Sequence, residues 1–422
     1  MKLNTVLLFV ILVLSQSTLF AQKQDTVLVS IKEAEGQFLK NNLSLIAANY
    51  SIDIAQAQAR QARVWDNPVL NTDQTLYDGR FFRHSKETGS QQAMGEVYIQ
   101  VQQLIRTTGK IRKLTAIASA NVKVAQLQFD QMMHSLRYTL RNDLYQVSQL
   151  LQTIALYEQE KVQLGKLVTA MQAEFKAGNI SQKDLLRVQA LQLSSLQEET
   201  EYRKTLSDVE TDLRTLLKAA PNAFIVPALP TNKPTNIPSL DSLLALAKQY
   251  NPDLLVEGAN LGVQQQNLRY QQALRSPDVT VGVQYDRLSS YTPNYWGLDI
   301  SLPLPLFNKN QGNIAAAGFS VKQEQAVVDM RQQKLVNDLQ NAIQKITLAQ
   351  ETQAATDPEL MKKYNTLLAN AIRAYQDRKL GLLEFIDLFG AYKDTQLKYL
   401  QQQYYLSKAK EDLNLLTGKD VY

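Results

Sequence analysis

Glu384 and Asp387 are the side chains whose type and spacing come closest to a chemical site. They stand three apart in a stretch with helical patterning, so their carboxylates share a face. Such a pair can attract cations. It can equally be a solvated helix start, where the backbone dipole favours acids. The other candidates carry less. His84 stands beside Arg83, His134 is isolated, and Met132 and Met133 fall on an apolar helical stripe and read as packing residues. Two histidines and no cysteine exclude thiolate metal sites, disulfides and lipidation on a cysteine. No phosphate loop, nucleophile constellation or metal-ligand spacing is present, so the sequence is not read as an enzyme and implies no cofactor. A net charge of +5 over 422 residues is weak. Its basic residues are interleaved with acids, which argues against nucleic acid as a partner.

The elements that would position those carboxylates follow an export signal. Lys2, an apolar run from Val6 to Leu14 and the small residue Ala21 read as a signal peptide over 1–21. That run is too short to span a bilayer as a helix, and no later stretch is apolar for long enough. Membrane contact must then be peripheral or through β-strands. The rest is a tandem repeat. Residues 30–68 align without gaps on 239–277, with Asn42 on Asn251, Leu45 on Leu254 and Arg60 on Arg269. The first repeat covers 22–218, with a β-hairpin at about 69–104 and a helix hairpin at 110–217. The second covers 239–422, with a hairpin at about 278–304 and helices at 313–417. Between them, 219–238 carries five prolines and reads as an extended linker.

Within each repeat a short helix (about 30–41 in the first) leads to a second one (43–66) ending before Pro68. The stretch from Lys110 to Lys176 contains no proline, and Phe129, Met133, Leu136, Leu140, Leu144, Val147 and Leu151 recur at steps of three and four. It predicts one helix roughly 100 Å long. Helices 43–66 and 182–217, stacked end to end, would lie alongside it. In the second repeat Asp357-Pro358 predicts a break, with Asp at the cap and Pro at the first helical position. The helices alone would suit a soluble periplasmic coiled coil.

The hairpins point elsewhere. Val279, Val281, Val283 and Tyr285 alternate with polar residues, as do Trp296, Leu298, Ile300, Leu302 and Leu304. The first hairpin alternates well at Val97, Ile99 and Val101 and weakly over Val69 to Asp78. Strands of about 9–10 residues would suit a tilted transmembrane strand. Tyr285, Tyr291, Tyr295 and Trp296, and in the first hairpin Tyr77, Phe81 and Phe82, cluster at the loop ends like an interfacial girdle. Four strands cannot close a barrel, so lipid contact requires an oligomer; a dimer or a trimer would supply enough strands.

The run from Leu302 to Gly312, with Pro303, Pro305, Phe307, Asn310 and Gly312, resembles the strand-to-helix junction of TolC-family outer-membrane factors, closest to the heavy-metal cation efflux branch that includes CzcC and CusC. The first repeat's matching junction runs from Gln103 to Lys110 and contains Gly109. The turns Gly178-Asn179-Ile180-Ser181 and Lys379-Leu380-Gly381 resemble the family's helix-hairpin turns. The resemblance implies a mainly α fold with a small β part: a long α-helical barrel below a twelve-stranded transmembrane β-barrel, built by a homotrimer with four strands per chain. It implies outer-membrane lipid around the barrel, a tunnel into the periplasm, and as partners a periplasmic adaptor (membrane fusion protein) at the turns and an inner-membrane RND-type pump. It places Glu384 and Asp387, with Asp184 as the first-repeat equivalent, as an acidic ring at the periplasmic entrance, favouring cations. The expected function is the exit duct of a tripartite efflux system for metal cations or other small toxic compounds. A drug-efflux or type I secretion duct of the same fold is the alternative.

Overall fold

The computed structural model describes residues 25–77, 81, 95–229, 236–289, 292–356 and 358–422. The signal peptide, Phe82, His84, Tyr291 and Asp357 lie outside the described residues.

The chain begins with β1 (Asp25–Ser30), α1 (Ile31–Asn41) and α2 (Leu43–Gln61). Then come the hairpin β2 (Val69–Gln74) and β3 (Val97–Ile105), the long helix α3 (Lys110–Lys176), its return α4 (Gln182–Leu217) and β4 (Ala223–Ala228). The second half has α5 (Leu240–Tyr250), α6 (Pro252–Ala273), β5 (Val279–Asp286), β6 (Tyr295–Ser301), α7 (Gln311–Ala355), α8 (Pro358–Gln376) and α9 (Leu382–Thr417).

Helix α3 runs 67 residues without interruption, about 100 Å. α2 and α6 lie along the half of it nearer the hairpin strands, α4 and α9 along its other half. Near the strands the helices stand side by side in the order α2–α3–α6–α7. Among the described residues the core is divided. One apolar cluster joins α1, β1, β4 and the middle of α3 to the end of α4; a second fills the far tip; a third joins α5, α7 and the end of α9. Met133 packs on the first of these, whereas Met132 is exposed.

Buried asparagines repeat one device. Asn42 caps α2 by accepting from Leu45 N–H at 3.1 Å, and its Nδ2 donates to Leu216 O, at the end of the return helix, at 3.0 Å. Asn251 caps α6 through Leu254 N–H at 2.8 Å and donates to Leu416 O at 2.9 Å. Each thus satisfies an orphan amide at one helix start and an orphan carbonyl at another's end.

Several boundaries differ from the sequence reading. α2 stops at Gln61, short of 66, because Asp66 is drawn into an ion pair with Arg106 at 2.8 Å and Pro68 disfavours helix before it. The strands have 6, 9, 8 and 7 residues; β3 has the expected length and the other three are shorter. β6 ends at Ser301 because Pro303 has no amide to donate. The segment 219–238 is more than a spacer: β4 within it pairs in parallel with β1, Asp25 opposite Ala223 through Ser30 opposite Ala228.

Candidate functional site

The two hairpins form one antiparallel sheet, β2–β3–β5–β6. Its register sorts the faces. Leu70, Val101, Val283 and Leu298 stand in one cross-strand row; Thr72, Ile99, Tyr285 and Trp296 stand in the next. Most of these apolar side chains are exposed, Trp296 by 70%. The opposite face is polar and bonded to itself. Asn71 Nδ2 donates to Gln100 Oε1 at 3.2 Å, Gln100 Nε2 and the Tyr98 hydroxyl donate to Gln284 Oε1 at 3.3 and 3.0 Å, and Gln102 Nε2 donates to Asp299 Oδ2 at 3.3 Å. A water-facing sheet buries its apolar side; this one exposes it and satisfies its polar side internally, the order that lipid outside and a lumen inside require. Among the described residues neither β2 nor β6 has a second strand neighbour.

Below the sheet, the first junction is tied into the protein. Arg106 grips Asp66 through both Nε and Nη2 at 2.8 Å, Thr107 N–H donates to Asp278 Oδ1 at 2.8 Å, and buried Lys110 Nζ reaches Asp278 Oδ1 at 2.7 Å and Ser276 O at 2.6 Å. Gly109 precedes α3 in the left-handed region, φ 66°. Its counterpart before α7 is Asn310, φ 58°, a residue that tolerates this region through local hydrogen bonds. Here Asn310 N–H donates to Asn308 Oδ1 at 3.0 Å, and its Nδ2 donates to Gln271 O at 2.8 Å. Gly312 lies inside the first turn of α7 and has no such backbone role. Pro303 and Phe307 are exposed, and Pro305 is half-buried.

At the other end α3, α4, α8 and α9 close around Phe385, Phe389, Leu185 and Leu368. The turns there have matching backbones. Gly178 (φ 77°) and Arg378 (φ 56°) occupy the same left-handed place. Asn179 N–H reaches Glu174 O at 2.9 Å, and Lys379 N–H reaches Ala374 O at 2.8 Å, the six-to-one bond that ends a helix. Ile180 and Leu380 turn inward onto the tip cluster, so they pin the turns, leaving Gly178, Asn179, Ser181, Lys379 and Gly381 exposed. Ser181 caps α4; Gly381 caps α9 without a side chain.

Glu384 lies in the first turn of α9 and Asp387 in the next; both are exposed, with Phe385 and Phe389 on the buried side. Asp184 is differently placed. It is half-buried and accepts the Ser181 hydroxyl at 2.8 Å, while its own N–H donates to Ser181 Oγ at 3.2 Å. Its carboxylate is thus committed to the helix cap.

Sequence reading missed two polar joints between the repeats. Arg141 on α3 reaches Glu35 at 2.5 Å, Glu411 at 2.9 Å and Asp420 at 2.8 Å. Nearer the tip, Glu198 accepts from Lys393 and from the Tyr157 hydroxyl, both at 2.8 Å, and these donors help hold its carboxyl below the usual range against its desolvation. Glu160 is fully buried beside them; burial raises its carboxyl to about 7, with Lys393 and Ser195 opposing. His134 is pulled below its usual value by burial and by Arg137. Among the described residues, no cluster of His, Cys, Asp and Glu could hold a metal ion.

A sheet with its apolar face exposed, standing on a rod of long helices that ends in a four-helix tip, defines the class: a mainly α subunit whose small open sheet is built to face lipid. The family described as outer membrane efflux protein matches the chain over residues 36–218 and 243–419, and the chain belongs to that family, the TolC family. It is therefore an outer-membrane protein, which sets aside the soluble coiled coil. Outer membrane protein TolC of Escherichia coli (strain K12) is 27% identical over 248 residues, 55% of this chain and 49% of that protein; the chain thus spans about half the length of this curated relative. Two solved structures share the fold. A membrane protein from Pseudomonas aeruginosa superposes with a TM-score of 0.75 at 17% identity, covering 92% of this chain and 90% of that one. CusC, described in terms of transmembrane channel formation, gives 0.73 at 15% identity, covering 92% of each.

Proposed function

We propose that three copies of this chain form the exit duct of a tripartite efflux system, with an adaptor at the exposed tip turns and a pump, of the RND type, in the inner membrane. The observation that carries the reading is the sheet's outward apolar face with two open edges. Sheet order β2–β3–β5–β6 and helix order α2–α3–α6–α7 run in the same sense, so one head-to-tail joint closes both layers. Both sides of that joint carry exposed apolar residues: Leu43, Ile46, Tyr50 and Ile54 along α2, and Phe319 and Met330 along α7. A heterologous joint that closes gives a ring, and three copies of a four-stranded sheet exceed the eight strands of the smallest membrane barrels.

Glu384 and Asp387 are the acids left free at the tip to form the entrance ring, in keeping with cationic cargo; Asp184 supports the adjoining turn. Purified protein in a planar bilayer under a salt gradient tests this. Cation selectivity is expected, reduced in Glu384→Gln/Asp387→Asn. An unchanged reversal potential would remove the acidic entrance, and absence of conductance would remove the duct. Cargo is separated by a deletion strain. Lost tolerance to cobalt, zinc, cadmium, copper or silver supports metal efflux; sensitivity confined to dyes and detergents assigns drug efflux.

A further inference from the structure

The outward apolar stripe continues past the end of its strand. On β6 it consists of Trp296, Leu298 and Ile300, and strand pairing ends where Thr280 faces Ser301. The same two-residue period runs on through Leu302, Leu304 and Leu306, all exposed. Backbone outside a sheet is costly in lipid because its amides lack partners. Here the intervening residues are Pro303 and Pro305, which have no amide proton, and Leu306 N–H donates to Leu304 O at 2.9 Å. Phe307 follows, 92% exposed, and then Lys309. An aromatic ring and a lysine in this order suit an acyl–headgroup boundary, the ring at the interface and the ammonium toward phosphate.

The first repeat does none of this. After Ile105 its junction is Arg106, Thr107 and Thr108, bonded to Asp66, Asp278 and Ala273. Of these two junctions the second is the apolar one, held to α6 at Asn310 while Leu302, Leu304, Leu306 and Phe307 stay exposed.

We propose that Leu302–Phe307 is a lipid-embedded foot, lengthening the barrel's apolar band beyond its hydrogen-bonded strands and seating the chain in the periplasmic leaflet of the outer membrane. The occupant is lipid because the stripe is continuous with the lipid-facing side of β6. In a chain without cysteine the foot supplies anchorage that no acylated thiol can. The inference rests on the outward-facing sheet.

The missing cysteines also make single-site labelling direct. Leu304→Cys, Leu306→Cys and Phe307→Cys would each carry a nitroxide in the full chain reconstituted into phospholipid vesicles, with Leu298→Cys and Asn308→Cys as references. Relaxation by oxygen and by a water-soluble nickel chelate is then compared. At 304, 306 and 307 oxygen should dominate, as at 298, with the nickel complex dominating at 308. Nickel accessibility at 304 and 306 would overturn the foot, as would an immobilised label shielded from both reagents, the signature of a neighbouring copy covering the segment. If 298 reads as lipid while 304, 306 and 307 do not, the foot alone fails. If 298 reads as water, the membrane-facing sheet fails with it.

Discussion

The first repeat ends its return helix with Lys218 at φ 52°, and the second ends its own with Gly418 at φ 70°. Its tip turn uses Gly178 where the second has Arg378, and Ser181 where the second has Gly381. Its long helix has 67 residues, against 45 and then 19. The backbone path is kept while the side chains that secure it change. The hydrogen-bond needs of helix ends set that path, and different residues meet them. The first repeat's long helix is continuous and its return helix starts on a side-chain cap, Ser181, whereas the second's long helix is interrupted and its return helix starts at Gly381 without one.

The largest asymmetry is at the return-helix ends. A Cβ on Gly418 would sit 2.0 Å from Tyr250 O, so Gly418→Ala should cost about 3 kcal/mol, while Lys218→Ala, already left-handed and exposed, should change little. Thermal melts in detergent check both; equal effects would remove the asymmetry. Next is Glu160, whose counterpart in sequence, at the same spacing of 200 that pairs Gly178 with Arg378, is Leu360. Burial raises its carboxyl from 4.5 to about 7, so the folded state holds a proton that the unfolded state releases between those values. The stability this proton confers is fully present below pH 4.5 and lost as pH rises through 7, on the order of 3 kcal/mol. Glu160→Gln should flatten that dependence in melts at pH 5 and pH 8; an unchanged slope would mean the carboxylate is ionised throughout. Third, Ser181→Ala should cost about 1 kcal/mol by losing its cap, whereas Gly381→Ser should shift stability by only a few tenths. Smallest is the tip ion pair. Arg378 reaches Glu174 at 3.4 Å with both side chains exposed, so Arg378→Ala should cost at most about 0.5 kcal/mol; a larger loss of melting temperature would show a buried role for the guanidinium.

Much of the fold was legible because its signals are local. An uninterrupted stripe without proline announces α3, strict alternation announces β5 and β6, and Asn42 and Asn251 stand at matching helix starts. The missed features are non-local. β1 and β4 are short, far apart in the chain, and joined only in space; β4 contains Pro227, tolerated because the pair is all edge. The Arg141 joint draws on α1, α3, α9 and Asp420 beyond α9, so no spacing reveals it. At the tip, Glu384 and Asp184 look equivalent in sequence. What separates them is Ser181, whose hydroxyl commits Asp184 to a cap that Gly381 cannot offer Glu384.

The central claim is a closed ring of three chains in a membrane. Native mass measurement of the full protein extracted from membranes tests it most directly. The account predicts a membrane-derived particle of three chains, dissociating when Ile46→Asp and Tyr50→Asp charge the exposed stripe of α2. A monomer recovered from the soluble fraction, or a stable dimer, would contradict it.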